Sequence, residues 1–322
     1  MPFSDATRRR DAGKAPRRVA SVDIGTNTIL LLVAEAMPSG DLRRVADLCR
    51  FARLGQGVEG RKELGSDAIA RSLEILTEYR EIARREGAER IAAVGTQALR
   101  EAQNASEFLE PARARLGAKV EVITGEREAA LVFAAVRASM PASPTDAPLV
   151  VADVGGGSTE IIVGEPGGAV TSFSSLPIGA VRLTERHLRS DPPRDDEVRT
   201  LTADIDDALS ARPIPDGARL VATAGTATTL AAVSRALQEY DPDAIDGTVL
   251  AAADIDRELE RLVGLSTDER RGLPGMQPER ADVIAAGAAI FARLVHRAGA
   301  SSMTVSDRGV RWGLAHELAD EP

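Results

Sequence analysis

Leu149 to Glu165, LVVADVGGGSTEIIVGE, reads as an apolar strand, an acid, three glycines with Ser-Thr, and a second strand. A tight glycine-rich turn lets successive backbone N–H groups face one concavity, and such a nest holds anionic oxygens with no side chain in the way. Asp153 stands at the rim. A carboxylate there would repel phosphate unless a divalent cation lay between them, so acid and nest together point to Mg²⁺ or a similar hard ion. The plain alternative is a Gly-rich hairpin turn that happens to contain an aspartate. Val19 to Glu35, VASVDIGTNTILLLVAE, aligns with the later stretch without a gap: Asp23 falls on Asp153, Gly25 on Gly155, Thr28 on Ser158 and Glu35 on Glu165. The repeat implies a duplicated fold. Two such halves facing each other would clamp a phosphate chain between two hairpins, each supplying N–H donors, hydroxyls and an acid.

With both turns in view the sequence resembles the sugar kinase/Hsp70/actin superfamily, which implies an α/β fold with two duplicated actin-like (ribonuclease H-like) lobes and the active site in the cleft between them.

The elements that must position these turns follow along the chain. Residues 1–16 are polar, basic and aperiodic, and are expected to be a disordered tail. A first lobe is expected over 17–143, a second over 144–306, and a closing helix over 307–322. The lobe boundary is placed at PASPTDAP (141–148), the clearest break in composition. In the first lobe, Asp41 to Phe51 reads as a further strand, and a helix begins at Ser66 as N-cap, with Ile69, Leu73, Leu76, Ile82 and Ala83 on one face and Gly87 at its end. Arg90 to Gly95 is a buried strand that feeds 96–102, a loop entering a helix, with Arg100 placed to point into the cleft from the strand's carboxyl end. Val120 to Ile123 is another strand, and Thr124 opens a helix to Ser139. In the second lobe, Phe173–Leu176 and Arg219–Ala222 read as strands, Gly179–Leu188 and Asp282–Arg297 as helical, and Met303–Ser306 as a last strand. Gly225-Thr-Ala-Thr-Thr-Leu is a third glycine–threonine turn entering a helix. It reads either as an anion site or as a plain strand-to-helix turn capped by Thr.

Composition sets the outer bounds. The 322 residues suffice for two domains. A single cysteine, Cys49, excludes an intrachain disulfide and fits a cytoplasmic setting. No apolar run reaches membrane-spanning length and no signal peptide is recognisable. The formal net charge of −9 disfavours nucleic acid and anionic membranes as partners and confines any polyanion site to a local patch.

Six motifs in order, DIGTNT (23–28), GTQALREAQNA (95–105), ITGEREA (123–129), DVGGGSTE (153–160), GTATTLA (225–231) and DRGVRWGL (307–314), resemble the exopolyphosphatase/guanosine pentaphosphate phosphohydrolase family over nearly the whole chain from Val19. The resemblance implies that Glu128 activates the attacking water. A carboxylate in a first helical turn is also favoured by the helix dipole, though acids are common there for stability alone. Glu126 lies on another face and is assigned to capping. Asp23, Asp153 and Glu160 form the expected metal set, directly or through water, for Mg²⁺ or Mn²⁺, with K⁺ left open as a further ion. Gly25, Thr26, Asn27, Thr28, Gly155, Gly156, Gly157, Ser158 and Thr159 are the expected phosphate donors. Arg100 is expected to clamp phosphate oxygens, its bland alternative being a surface pair with Glu101 or Glu107. The implied reaction is in-line attack of water on a terminal phosphoryl group without a covalent intermediate. His187, His296 and His316 are given no role.

The departures from the family pattern are Thr where serines are usual in the first turn, and Trp312 after Arg311 where glutamate is usual. The chain also ends without the C-terminal helical domain of long members, so short polyphosphate or the nucleotide is the expected substrate. Family analogy further implies a homodimer, and guanosine penta- or tetraphosphate as substrate or inhibitor. Two other classes share the architecture: an ATP-dependent small-molecule kinase, which needs an acceptor pocket, and a regulator or assembly protein that binds nucleotide without turnover.

Overall fold

The computed structural model describes residues 17–140, 147–165, 168, 170–210, 214, 215 and 217–321. The expected tail over 1–16 and most of the Pro-rich break, 141–146, lie outside the described residues.

Strand β1 (Arg18–Ile24) returns through a tight turn into β2 (Thr28–Ala36), which pairs with β3 (Leu42–Phe51). Strands β4 (Arg90–Gly95) and β5 (Val120–Val122) add in parallel on the other side of β1, giving the order β3-β2-β1-β4-β5. The second sheet repeats this plan. Strands β6 (Leu149–Val154), β7 (Thr159–Gly164) and β8 (Val170–Leu176) form the antiparallel meander, and β9 (Arg219–Thr223), β10 (Val249–Ala251) and β11 (Ser302–Val305) complete the order β10-β11-β9-β6-β7-β8. Only the edge strand β10 has no counterpart in the first sheet. The duplication read from two hairpins thus extends to whole lobes of actin-like topology.

Alternation along the two first strands explains how the acids come to face each other. Ala20, Val22 and Ile24 of β1 pack into the first lobe's own core with Leu76, Tyr79 and Phe108, and Val150, Ala152 and Val154 of β6 pack into the second lobe's core. The opposite faces, carrying Val19 on β1 and Leu149 and Val151 on β6, join a third cluster between the sheets. Because side chains alternate with period two, Asp23 and Asp153 continue those inter-lobe faces. Every residue of β6 and β7 is buried, as expected of strands covered on both sides.

Two helices fill the space between the sheets. Gly125–Ser139 contributes Val132, Phe133 and Val136, and Val310–Asp320 contributes Trp312, Ala315 and Leu318. They cross closely: a Cβ on Gly313 would lie 2.2 Å from the Leu131 carbonyl oxygen, so only glycine fits there. The closing helix therefore packs on the first lobe's β1 and Gly125–Ser139, although it follows the last strand of the second sheet.

Several expectations needed correction. The helix Ser66–Arg85 has Gly65 as its N-cap, with no side-chain cap, so Ser66 is its first residue and not its cap. The apolar helix expected from Asp282 begins at Ile284. Helices Ala105–Leu116, Asp195–Ser210 and Ala252–Gly264 were not anticipated, although Leu201, Ile205 and Leu209 repeat every fourth residue and all reach the core. Among the described residues no helix is long and apolar enough to cross a membrane.

Candidate active site

A cavity of about 430 Å³ lies between the lobes, lined by Asp23, Gly25 to Thr28, Gln97, Glu128, Asp153 and Gly155 to Ser158. The two turns are built alike. Gly25 N–H donates to the Thr28 carbonyl at 3.0 Å, and Gly155 N–H donates to the Ser158 carbonyl at 3.0 Å. They also meet: a Cβ on Gly156 would sit 3.1 Å from Thr26 Cβ. The expected clamp of two hairpins is thus assembled around one space.

Glu128 occupies the first turn of Gly125–Ser139 and is buried, while Glu126, two residues earlier, is exposed. The helix is capped by Thr124, whose Oγ1 accepts from Arg127 N–H at 3.2 Å, so capping belongs to Thr124 and not to Glu126. Arg100 sits on the short helix Gln97–Glu101 and donates through Nη1 to Glu128 Oε2 at 2.7 Å and to the Ile123 carbonyl at 2.9 Å. It pairs with neither Glu101 nor Glu107, and it is absent from the cavity lining. Its visible work is to orient Glu128 and to offset part of the burial that pushes that carboxyl up.

The other acids carry the same signature. Burial first, then Glu128, pushes Asp23 up to about 7, with Arg311 pulling the other way. Burial, Glu128 and Asp23 push Asp153 up to about 8. Glu160, directly opposite Asp153 across the β6–β7 pair, is pushed up to about 8 by burial, Glu128 and Asp153, while hydrogen bonds from Ser175 and Ser158 oppose the rise. Like charges facing across a strand pair are unfavourable, so this cluster calls for protons or a cation.

Whether the residues fit a divalent ion can be tested on the donor set. Asp23 Oδ1 is sealed from solvent without a hydrogen-bond partner. Yet among the described residues no three His, Cys, Asp or Glu side chains close on a common point that could hold a metal. Glu160 lies behind Asp153, outside the cavity lining, and accepts from Ser175 Oγ at 2.7 Å. The donor set therefore does not fit three direct carboxylate ligands, and Asp23 and Asp153 could hold a divalent ion only if it kept most of its waters, as Mg²⁺ does. Thr159 departs from expectation too. Its side chain is fully buried and its hydroxyl donates to the Ile178 carbonyl at 2.7 Å, so that hydroxyl is turned away from phosphate.

The sequence reading missed a second charged group at the cavity wall. Arg311 donates bidentately to Asp47 at 2.8 and 2.9 Å, and to Asp307 Oδ2 at 2.8 Å; Tyr240 OH donates to Asp307 Oδ1 at 2.8 Å. The i, i+4 spacing of Asp307 and Arg311 within DRGVRW was a usable signal, but Asp47 on β3 had none. Arg308 stacks on Trp312, its guanidinium carbon 3.4 Å from the ring centre. Beyond the turns the cavity extends past Gly225, Thr226 and Thr228 to Tyr240 and Arg280. The third glycine turn thus borders the cavity, and Thr223, its N-cap, provides no side-chain cap.

Comparison with known proteins agrees with this geometry. The Ppx/GppA phosphatase family matches residues 32–321. Exopolyphosphatase 2 of Mycobacterium tuberculosis is 39% identical over 318 residues, covering 94% of this chain and 98% of its own length. The guanosine-5'-triphosphate,3'-diphosphate pyrophosphatase of Photobacterium profundum is 31% identical over 304 residues, but the chain spans only 59% of that protein. Among solved structures, the Aquifex aeolicus Ppx/GppA family member superposes with a TM-score of 0.80 at 35% identity, covering 94% of this chain and 98% of the other. An exopolyphosphatase from Cytophaga hutchinsonii superposes with a TM-score of 0.84 at 26% identity over the same shares. The chain belongs to the Ppx/GppA phosphatase family and is an enzyme of the phosphoric anhydride hydrolase class.

Proposed function

We propose that the chain is an exopolyphosphatase that releases terminal orthophosphate from short inorganic polyphosphate. The observation that carries this is the convergence of both phosphate turns, Asp23, Asp153 and the buried Glu128 on one cavity. The 39% identity to an exopolyphosphatase, against 31% to a guanosine-5'-triphosphate,3'-diphosphate pyrophosphatase, supports polyphosphate over the nucleotide.

In the proposed mechanism the terminal phosphoryl group is held by the backbone donors of Gly155 to Ser158, by the backbone N–H of Thr26, whose hydroxyl is engaged with Gln97, and by Asn27 and Thr28. Glu128, oriented by Arg100, accepts a proton from water as the water oxygen bonds to phosphorus, and the anhydride P–O bond opposite breaks to leave a chain one phosphate shorter. Burial raises the Glu128 carboxyl while Arg100 holds it back, which favours a group that takes up a proton. Asp23 and Asp153 would hold Mg²⁺ or Mn²⁺, which when bound would neutralise phosphate charge; Glu160 would add negative charge behind Asp153 to attract the ion. In this reading the enzyme works in the cytoplasm as a homodimer, with K⁺ a candidate further ion.

A second reading, hydrolysis of guanosine pentaphosphate, is favoured by one observation: the cavity runs past the phosphate turns to Tyr240, Gln277 and Arg280, space that a bare phosphate chain leaves unused. The deciding experiment is phosphate release from polyphosphates of defined length, guanosine pentaphosphate and ATP, with Mg²⁺ or EDTA. Release from short polyphosphate is expected, abolished by EDTA and reduced about a hundredfold or more in Glu128→Gln with binding kept. Release from the nucleotide alone would establish the second reading. Nucleotide binding without release from any substrate would make the chain a sensor.

A further inference from the structure

Behind the two phosphate turns, and joining them through residues given no role above, runs an unbroken chain of hydrogen bonds. Thr26 Oγ1 of the first turn donates to Gln97 Oε1 at 3.3 Å. Gln97 Nε2 donates to Glu101 Oε1, one helical turn on. Arg182, on the second lobe's helix Ala180–His187, donates through Nη2 to both Glu101 oxygens, at 2.8 and 2.9 Å. Its Nε donates to the Gly157 carbonyl of the second turn at 2.7 Å. The path therefore starts on one phosphate turn and ends on the other.

We propose that Gln97, Glu101 and Arg182 form a positioning belt that fixes the second phosphate turn against the first and so sets the affinity for the phosphate chain. The proposal rests on the phosphohydrolase reading of the cavity. Three features carry it. First, the C=O and N–H of a trans peptide point in opposite directions, so holding the Gly157 carbonyl toward Arg182 aims the Ser158 N–H away from it. Neither Arg182 nor Glu101 lines the cavity, whereas Gly157 and Ser158 do. Second, the second turn is shaped to receive the belt: a Cβ on Gly157 would lie 1.6 Å from Gln97 Oε1. Third, Glu101 is adjacent to Arg100. One five-residue helix thus sends Arg100 to Glu128 and Gln97 and Glu101 to the phosphate turns, coupling the base to the cradle.

Glu101 keeps about a third of its side chain exposed, 30%, so its substitution spares the core. The test uses the full chain as wild type, Glu101→Gln, Arg182→Gln, Arg182→Lys and the Glu101→Gln/Arg182→Gln double variant. Calorimetric binding of tripolyphosphate with Mg²⁺, steady-state phosphate release and thermal melting are measured for each. The expected result is a rise in Kd and KM of about tenfold in Arg182→Gln and Glu101→Gln, the loss typical of a charge-assisted hydrogen bond, with kcat within about threefold. The double variant should be no worse than Arg182→Gln alone, because the pair acts as a unit, and Arg182→Lys should recover part of the affinity. Melting temperatures that fall while tripolyphosphate affinity stays at the wild-type value would overturn the belt alone. So would additive losses in the double variant. A wild type that binds no polyphosphate would overturn the functional reading, and the belt with it.

Discussion

The two phosphate turns share an ancestral shape and differ in what fills it. Each closes with the same 3.0 Å bond between its first glycine and the residue three positions on. The first turn keeps side chains, Thr26 and Asn27, where the second has Gly156 and Gly157. The acids are also backed differently: Asp23 stands opposite Leu30 on β2, whereas Asp153 stands opposite Glu160 on β7. One turn therefore reaches out with Thr26 and the other recedes to admit it at Gly156, while Gly157 makes room for Gln97 from the helix that follows β4. Burial and Glu128 push both acids up, and Arg311 pulls back on Asp23 alone. Duplication supplied two cradles; divergence made them complementary parts of one.

The comparison breaks most severely if the receding turn is given a side chain. Gly157→Ala pushes Gln97 out of its seat, and a shift of the turn by an ångström is expected to lower kcat/KM by about a hundredfold. The matching Asn27→Ala removes an amide and moves no backbone, so its effect should stay near the loss of one hydrogen bond, about fivefold. Phosphate release by the two variants side by side checks this, and equal losses would mean that the turns are interchangeable.

A smaller effect comes from making the backing alike. Glu160→Leu copies Leu30 and removes a buried carboxyl that faces another. Without divalent ions at pH 8 the melting temperature is expected to rise by about 2 °C or more, while kcat/KM falls about tenfold through loss of negative charge that attracts the ion. Melting curves in EDTA test the first half. A lower melting temperature would show that Ser175 and Ser158 already satisfy Glu160.

The gentlest probe is pH. Asp23, Asp153 and Glu160 are raised in the fold, so between their ordinary values of 3.8 to 4.5 and about 7 to 8 the folded chain keeps protons that the unfolded chain has released. Stability then falls as pH rises through that window and levels above it. Thermal melts in EDTA should decline from pH 5 to 8, and Mg²⁺ with tripolyphosphate should flatten the decline by taking the place of the protons. A curve that rises over this range would contradict the clustering of the acids.

Much of this was legible in the residues. The two hairpins, the order of their strands, the place of Glu128 in a first helical turn and the inter-lobe facing of Asp23 and Asp153 all follow from local pattern, because turn chemistry and period-two alternation act within a few residues. Partners across the fold were not legible. Arg100 read as a phosphate clamp yet pairs with Glu128; Thr159 read as a donor yet spends its hydroxyl on Ile178; Glu160 read as a ligand yet stands behind Asp153. Asp47 and Arg311 meet across 264 positions of sequence, and Glu101 and Arg182 across 81. Which of several arginines meets which of several carboxylates depends on how two lobes and the closing helix pack together, and no periodicity within a strand or helix encodes that choice.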